Sequence, residues 1–556
     1  MAPFVEVLAV PTGTPEFETL KQSILDEFWA GVPESLYLPE SLIKNPPKDV
    51  TAVSRECGLL TPEEIDITEN YDAVALAEAI ATKKFTAVTV AQAFSKRAII
   101  AHQLTSCLVE WFPEEALARA KELDDYLERT GKTVGPLHGV PLSVKEHMPI
   151  AGHYSALGFL DTRHKDDHDC HMVSIFRAAG AVFYVKTNQP QGIMHLESVA
   201  PLGRVLNPYN INLSSGGSTG GEAALLAMRG SILGIGTDIG GSIRGPAAFC
   251  GIYGFKSTSY YLPQKEFLTG GFAAELNVLC STGPMCHTLR DMDLFVSTLK
   301  AANPHLEDPC LIPIPWTGTT TPLPSPKLKV GILFHDGQIV PQPPIIKALE
   351  WAKSQLSGFP DLFEVKEFVP FRTAELMQNI RKAYWPDGGK AVKAHLATTG
   401  EPMLPLTQWI LKDAESDTDA GTDGVLAMRV ARDLYRQAFV AHWNSQDIDV
   451  LLCPAFVGPA CEHETAFYWN YTAFWNYVDY PGVVFPTPFK AGKKGEEDYK
   501  EEYQEVLSQE DKHVRELWQK GDFEGAPVDL QLVGRKYYDN QLFGALEKLK
   551  GALQLP

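Results

Sequence analysis

No two cysteines of this chain stand in a CxxC pair or at zinc-finger spacing, and their number, nine, is odd. Such scatter argues against a disulfide framework and suits reduced thiols, so a cytoplasmic setting is expected. Long hydrophobic runs are also missing. The most apolar window, Ala223 to Gly236, is cut by Arg229 and by glycines. It falls well short of the ~20 apolar residues that cross a bilayer, so no membrane span is expected. The opening MAPFVEVLAVPTGTPEF has neither a basic region nor a sustained apolar core, which argues against a secretory leader. Basic residues are scarce, 49 Lys and Arg against 69 Asp and Glu, for a net charge of −20. That excess repels phosphate backbones and anionic lipid, and no basic patch offsets it, which argues against nucleic-acid partners. No glycine stretch carries the lysine of a nucleotide-binding P-loop.

What is present is the composition of a soluble globular protein: 556 residues, 45% hydrophobic and 21% charged, with no internal repeat. Residues 1–70 read as an irregular, Pro-rich arm with one helix, Phe17 to Trp29. Three helical segments follow, Asp72 to Lys84, Val88 to Gln103 and Pro113 to Arg129. The last opens on Pro-Glu-Glu, residues suited to a helix start. Short apolar strands are expected at Val140 to Val144, Ala181 to Thr187 and within Ser231 to Gly240. Strands alternating with helices imply an α/β fold. A Pro-rich connection, Cys310 to Lys327, reads as a surface linker, and the acid-rich stretch Glu496 to Trp518 as a solvated insertion.

Chemistry is suggested first by NLSSGGSTGGEAALLA, residues 212–227, in which hydroxyls and glycines precede a helix. A serine there is commonly only a helix cap. GGSTG, Gly216 to Gly220, also fits the G-x-S-x-G nucleophile elbow, a weak pattern by itself. A second element, GTDIGGSIRGPAAFCG, Gly236 to Gly251, places consecutive glycines before Ser242. Successive backbone N–H groups in such a turn can face one concavity and hold a developing oxyanion. The competing reading is a tight glycine turn leaving a strand.

A third element completes the pattern. GVPLSVKE with Lys145, then GGSTGGEAALLA with Ser218, then GTDIGGSIRGPAAFCGIYGFKST with Ser242 resembles the amidase signature family of serine hydrolases. GAVFYVKTNQPQ, LNPYN, TGPMCHTLRDMDLF, YVDYPGVVFPTP and APVDLQLVGRKYYDNQLFGAL extend the resemblance over most of residues 70–550, and ECGLLTPEEIDIT is similar to the fungal acetamidase-like group. The resemblance implies one large mixed, twisted β-sheet surrounded by helices, with an N-terminal helical arm. It also implies a catalytic unit over residues 71–556, with core motifs at 139–258 and the acidic insertion at about 491–524. It makes Ser242 the acyl-forming nucleophile, Ser218 a bridging serine on a cis peptide bond, and Lys145 the base. The N–H groups of Ile239, Gly240, Gly241 and Ser242 would form the oxyanion hole, and Ser218 would border the substrate. Met194 falls one position from where the family's backbone meets substrate. Thr219 replaces the family's usual serine or glycine, and Glu146 its usual aspartate.

The implied reaction is hydrolysis of a small-molecule carboxylic acid amide to acid and amine, without cofactor or metal, and a homodimer is compatible with it. A lysine serves as base near neutral pH if burial without a fixed counterion lowers its pKa by about 2 to 3 units. Asp238 and Arg244 flank the nucleophile turn and are expected to pair structurally. The aromatic run Phe467 to Tyr480 is expected in the core, with some members in a pocket wall. Three other readings compete. RHKDDHDCH, Arg163 to His171, offers His164, Asp167, His168, Cys170 and His171 as metal ligands, although so close a spacing on a polar turn commonly just solvates. An α/β-hydrolase esterase would use Ser218 with His442 or His463, but the residues before Gly216 read as a polar loop rather than an elbow strand. A non-catalytic amidase-like binding protein is disfavoured because all three relay residues are present.

Overall fold

A computed structural model describes residues 4–268, 276–415 and 420–555, the side chains of residues 413–415 excepted. Helix starts follow their local chemistry. Thr14 caps Pro15–Ala30 by accepting the Phe17 N–H, so this helix begins two residues before the apolar pattern does. Thr61 and Glu64 form a reciprocal capping box on Pro62–Glu69. Asp72 caps Ala73–Ala81, and Ala87–Thr105 and Pro113–Thr130 stand close to their expected positions. The arm also holds the short helices Glu40–Lys44 and Val53–Glu56. It is tied down at both ends of the fold. The Val5 N–H donates to the Gln103 carbonyl at 2.8 Å, and Lys48 pairs with Asp522 and Glu524.

Among the described residues, eleven strands form one mixed sheet: β1 (Leu108–Trp111), β2 (Pro141–Lys145), β3 (Val182–Thr187), β4 (Leu233–Asp238), β5 (Tyr253–Lys256), β6 (Ser281–Cys286), β7 (Leu328–Ile332), β8 (Phe363–Glu367), β9 (Val450–Pro454), β10 (Gly482–Lys490) and β11 (Pro527–Val533). Their order is β1-β3-β2-β4-β6-β5-β10-β11-β9-β7-β8. β3, β2 and β4 run parallel, as do β9, β7 and β8, and the central strands are antiparallel. Both faces are covered. Val483 and Phe485 of β10 enter one hydrophobic cluster, with the helices Ala87–Thr105, Pro343–Ser357 and Asp539–Leu553; Val484 enters the other, with Thr373–Tyr384 and Asn470–Val478. No described helix is long and apolar enough to cross a membrane.

Three segments depart from their sequence reading. The polar stretch before Gly216 contains a strand, Asn210–Ser214, paired with Leu206–Asn207 in a ribbon outside the large sheet. Asn207, Asn210 and Ser214 are buried there, and the Asn207 amide donates to the Ser214 and Phe249 carbonyls. Backbone partners, rather than apolar neighbours, satisfy these side chains, so the hydrophobic pattern misses the strand. The acid-rich stretch is only partly solvated: its helix, Gln509–Lys520, buries Asp511 and Val514, and Asp511 accepts the Val340 N–H at 3.1 Å. The Pro-rich connection is irregular apart from a 3-10 turn at Gly318–Thr320, and it is anchored where Trp316 donates to Asp293 at 2.8 Å.

Candidate active site

Because β2 and β4 are parallel neighbours, with Ser143 opposite Gly234 and Val144 opposite Ile235, their C-terminal ends lie side by side. Lys145 ends one strand and Asp238 the other, and the turn after Asp238 carries Ser242 into the helix Arg244–Cys250. Ser218 reaches the same edge from the loop before the helix Gly220–Ala227. The Gly217–Ser218 peptide is cis. Gly217 is pressed against the chain at His195 and Glu197, where an added Cβ would meet the His195 carbonyl oxygen at 2.6 Å. The Thr219 N–H donates to the Ser242 carbonyl at 3.1 Å, which ties the two serine segments together.

Lys145 is fully buried, and its Nζ lies 2.6 Å from Ser218 Oγ, 3.1 Å from Thr219 Oγ1 and 3.1 Å from Thr237 Oγ1. All three partners are neutral hydroxyls. Burial lowers the Lys145 pKa to about 7, outweighing the opposing pull of Cys280, Asp238, Glu222 and Glu146. Beneath it, burial raises Glu222 to about 8, and its carboxyl meets Ser143 and Thr187. Burial likewise raises Glu146 to about 7. These two glutamates are therefore substantially protonated near neutrality, and the hydrogen-bond partners of Lys145 are the three hydroxyls.

Burial would raise the Asp238 carboxyl, but the Arg244 guanidinium beside it holds it down to about 2. The two are fully buried, with Arg244 Nη2 at 3.0 Å from Asp238 Oδ1, the structural pair expected from sequence. The same carboxylate accepts the N–H groups of Gly241 at 2.9 Å and Ile243 at 3.1 Å. This corrects one expectation, because the Gly241 N–H already has an acceptor and is not a free oxyanion donor. Among the described residues, no acceptor is found for the N–H groups of Ile239, Gly240 and Ser242. Gly241 contributes conformation instead. It sits at φ +128°, and a Cβ there would stand 2.2 Å from Thr472 Oγ1.

Residues that sequence reasoning missed support this loop. Thr472 and Asn476 lie four apart on one face of the buried helix Asn470–Val478. The Thr472 hydroxyl donates to the Gly240 carbonyl at 2.7 Å, and the Asn476 amide donates to Asp238 Oδ1 at 2.9 Å. The available signal was two polar residues at helical spacing inside an aromatic run. Two members of that run, Tyr468 and Trp469, also line a cavity of about 200 Å³ with Met377, Tyr384, Trp409 and Ile410 and with the charged Arg381, Lys412 and Glu510. This cavity abuts the turn that carries Ser242, since a Cβ on Gly240 would meet the Tyr384 hydroxyl at 2.8 Å and the Trp469 ring at 3.3 Å. Met194 is buried in the second cluster, in the segment that runs past Gly217.

The competing site residues are otherwise engaged. His442 Nε2 meets the Val369 carbonyl at 2.8 Å, and His463 lies between Glu197 and the Ile211 carbonyl. Along Arg163 to His171 the side chains diverge: His168 pairs with Asp167, Asp169 with Arg177, and His171 is buried toward Glu307. Among the described residues, no three of His, Cys, Asp or Glu converge as a metal site.

A large mixed sheet brings a buried lysine and two serine turns together at its edge, and comparison with known proteins places this fold among amide hydrolases. The amidase family model matches residues 89–543. A Schizosaccharomyces pombe protein provisionally named an amidase is 43% identical over 523 residues, covering 93% of this chain and 96% of the relative. An Aspergillus oryzae acetamidase is 34% identical over 541 residues, covering 95% and 96%. A solved fatty acid amide hydrolase superposes with a TM-score of 0.89 at 32% identity, covering 98% of this chain and 95% of that one. The chain belongs to the amidase family and is an amide hydrolase.

Proposed function

We propose that the amide is cleaved through an acyl-enzyme on Ser242, with Ser218 as the bridging proton carrier and Lys145 as the base. The observation that carries this reading is the 2.6 Å contact between Ser218 and a buried lysine whose pKa falls to about 7. Neutral Lys145 takes the Ser218 proton while Ser218 takes that of Ser242, whose Oγ bonds to the amide carbon. The oxyanion then faces the N–H groups of Ile239, Gly240 and Ser242. The proton returns from Lys145 through Ser218 to the amide nitrogen as the C–N bond breaks. Water repeats the sequence on the ester, releasing the acid. The cavity beside Gly240, walled by aromatic rings and by Arg381, Lys412 and Glu510, suits a compact acyl group. No metal or cofactor enters these steps.

A fluorophosphonate forms a covalent adduct on an activated serine, and peptide mapping locates it. The adduct is expected on Ser242; labelling of Ser218 alone in active protein would overturn the assignment in favour of the esterase mechanism.

A further inference from the structure

We propose that Asn476 and Tyr384 are positioning residues that aim the Ile239 and Gly240 N–H groups at the oxyanion by holding the carbonyl on the opposite side of each peptide unit, and that Thr472 pins the intervening Gly240–Gly241 peptide onto Asp238. In a trans peptide the C=O and the following N–H point in opposite directions, so anchoring one fixes the other. Consecutive carbonyls of this turn are each held. Asn476 Nδ2 donates to the Asp238 carbonyl at 3.2 Å, which directs the Ile239 N–H. The Tyr384 hydroxyl donates to the Ile239 carbonyl at 2.9 Å, which directs the Gly240 N–H. The Thr472 hydroxyl donates to the Gly240 carbonyl at 2.7 Å, which directs the Gly241 N–H onto Asp238. The Gly245 N–H donates to the Gly241 carbonyl at 2.7 Å, which directs the Ser242 N–H.

Glycines are free to flip their peptides, and a turn containing Gly240 and Gly241 has no stiffness of its own. The stiffness comes from side chains more than 140 positions away in sequence, on the helices Thr373–Tyr384 and Asn470–Val478. Preorganised dipoles stabilise an oxyanion because they need not reorient during the reaction. Tyr384 also walls the cavity beside Gly240, so an acyl group seated there rests against the residue that holds the Gly240 peptide in place.

The proposal rests on Ser242 as nucleophile, and its test separates the two. Wild type, Tyr384→Phe, Thr472→Val and Thr472→Ser are compared on kcat/KM for one anilide. They are also compared on inhibition by a trifluoromethyl ketone bearing the same acyl group, which adds to serine as a tetrahedral oxyanion, and by the corresponding acid product. Removing one oxyanion donor costs about 10²- to 10³-fold in kcat, so a donor left present but free to turn is expected to cost about tenfold. Tyr384→Phe should lower kcat/KM by that factor, and Thr472→Val, which loosens the Gly240–Gly241 peptide between two donors, by less; each should weaken the ketone in proportion, with product affinity unchanged. Thr472→Ser, which keeps the hydroxyl, should restore both. Unchanged ketone affinity in Tyr384→Phe and Thr472→Val, with fluorophosphonate still on Ser242, overturns the positioning role alone. If either of these variants fails to fold, the other decides. A wild-type adduct on any other residue overturns the nucleophile and this proposal together.

Discussion

Lys145 Nζ lies 2.6 Å from Ser218 Oγ, and its two further partners, Thr219 and Thr237, are hydroxyls at 3.1 Å. A neutral lysine has two N–H groups and one lone pair. Thr219 and Thr237 can accept the two N–H groups, which leaves the lone pair for the Ser218 proton.

The pH dependence of kcat/KM follows from that arrangement. Burial sets the Lys145 pKa at about 7, and the base is the deprotonated form. The rate should therefore rise with pH through about 7 and level off above about 8. Lys145→Arg should lose the activity across that range, because a guanidinium stays charged. Initial rates between about pH 5.5 and 9.5 measure this; a flat wild-type profile or an active arginine variant would contradict a basic role for Lys145.

Stability should rise with pH as well. The Lys145 pKa is about 7 folded against 10.5 for an exposed lysine. Between those values the unfolded state holds a proton that the folded state has released, so wild-type stability rises with pH across that window and the full penalty applies below it. Lys145→Met, which removes the ionisable group at similar length, should melt a few degrees higher than wild type at pH 7 while losing activity. That advantage should shrink as pH approaches 10. Thermal melts at pH 7 and 9.5 test it, and a methionine variant less stable at pH 7 would show that the three hydroxyl contacts outweigh the burial of the amine.

Much of this site could be read from sequence because its signals are local. Lys145 directly follows apolar residues, Ser218 and Ser242 sit in glycine-rich turns at helix starts, and Asp238 and Arg244 flank the second turn. Helix starts could be read for the same reason, as at Thr61 with Glu64 and at Asp72. The order of the eleven strands could not be read, since partners such as β5 and β10 meet across more than 220 residues and no local pattern records their pairing. Tyr384, Thr472 and Asn476 were hidden similarly. Each acts on a carbonyl of the distant oxyanion turn, and within its own helix it reads as core or as a polar interruption. The Gly241 N–H was misjudged because glycine spacing shows that a turn is flexible and leaves open which N–H groups the Asp238 carboxylate takes.

Gly241 should tolerate no side chain. Its φ of +128° and the 2.2 Å approach of a Cβ to Thr472 Oγ1 act together. The backbone strain alone is worth about 1–3 kcal/mol for a non-glycine residue. Gly241→Ala should lower Tm by a few degrees and displace Thr472 from the Gly240 carbonyl, so fluorophosphonate labelling of Ser242 should slow at least tenfold, by about 1.4 kcal/mol of barrier. Thr472→Ala gives the decisive comparison. It relieves the clash, so the double variant should recover part of the lost stability while remaining slow to label. A Gly241→Ala protein that labels at the wild-type rate would show that the turn is less constrained than the contact implies.

Ser218 must act twice in each acylation, and the second act distinguishes amides from esters. An amine leaves poorly as an anion, so the nitrogen must be protonated as the C–N bond breaks, whereas a nitrophenoxide leaves with little help. In the proposed relay that proton passes from Lys145 through Ser218. Ser218→Ala interrupts this path but retains Ser242 and the N–H groups of Ile239 and Gly240. A positioned proton donor is worth roughly 10²- to 10⁴-fold, so the ratio of amide to ester turnover should fall by a measurable part of that range. One acyl group presented both as its anilide and as its nitrophenyl ester keeps acyl binding nearly constant, and burst kinetics establish that acylation limits both. Equal slowing of the two substrates would mean that Ser218 acts by holding the site in shape, and that the leaving amine is protonated by some other group.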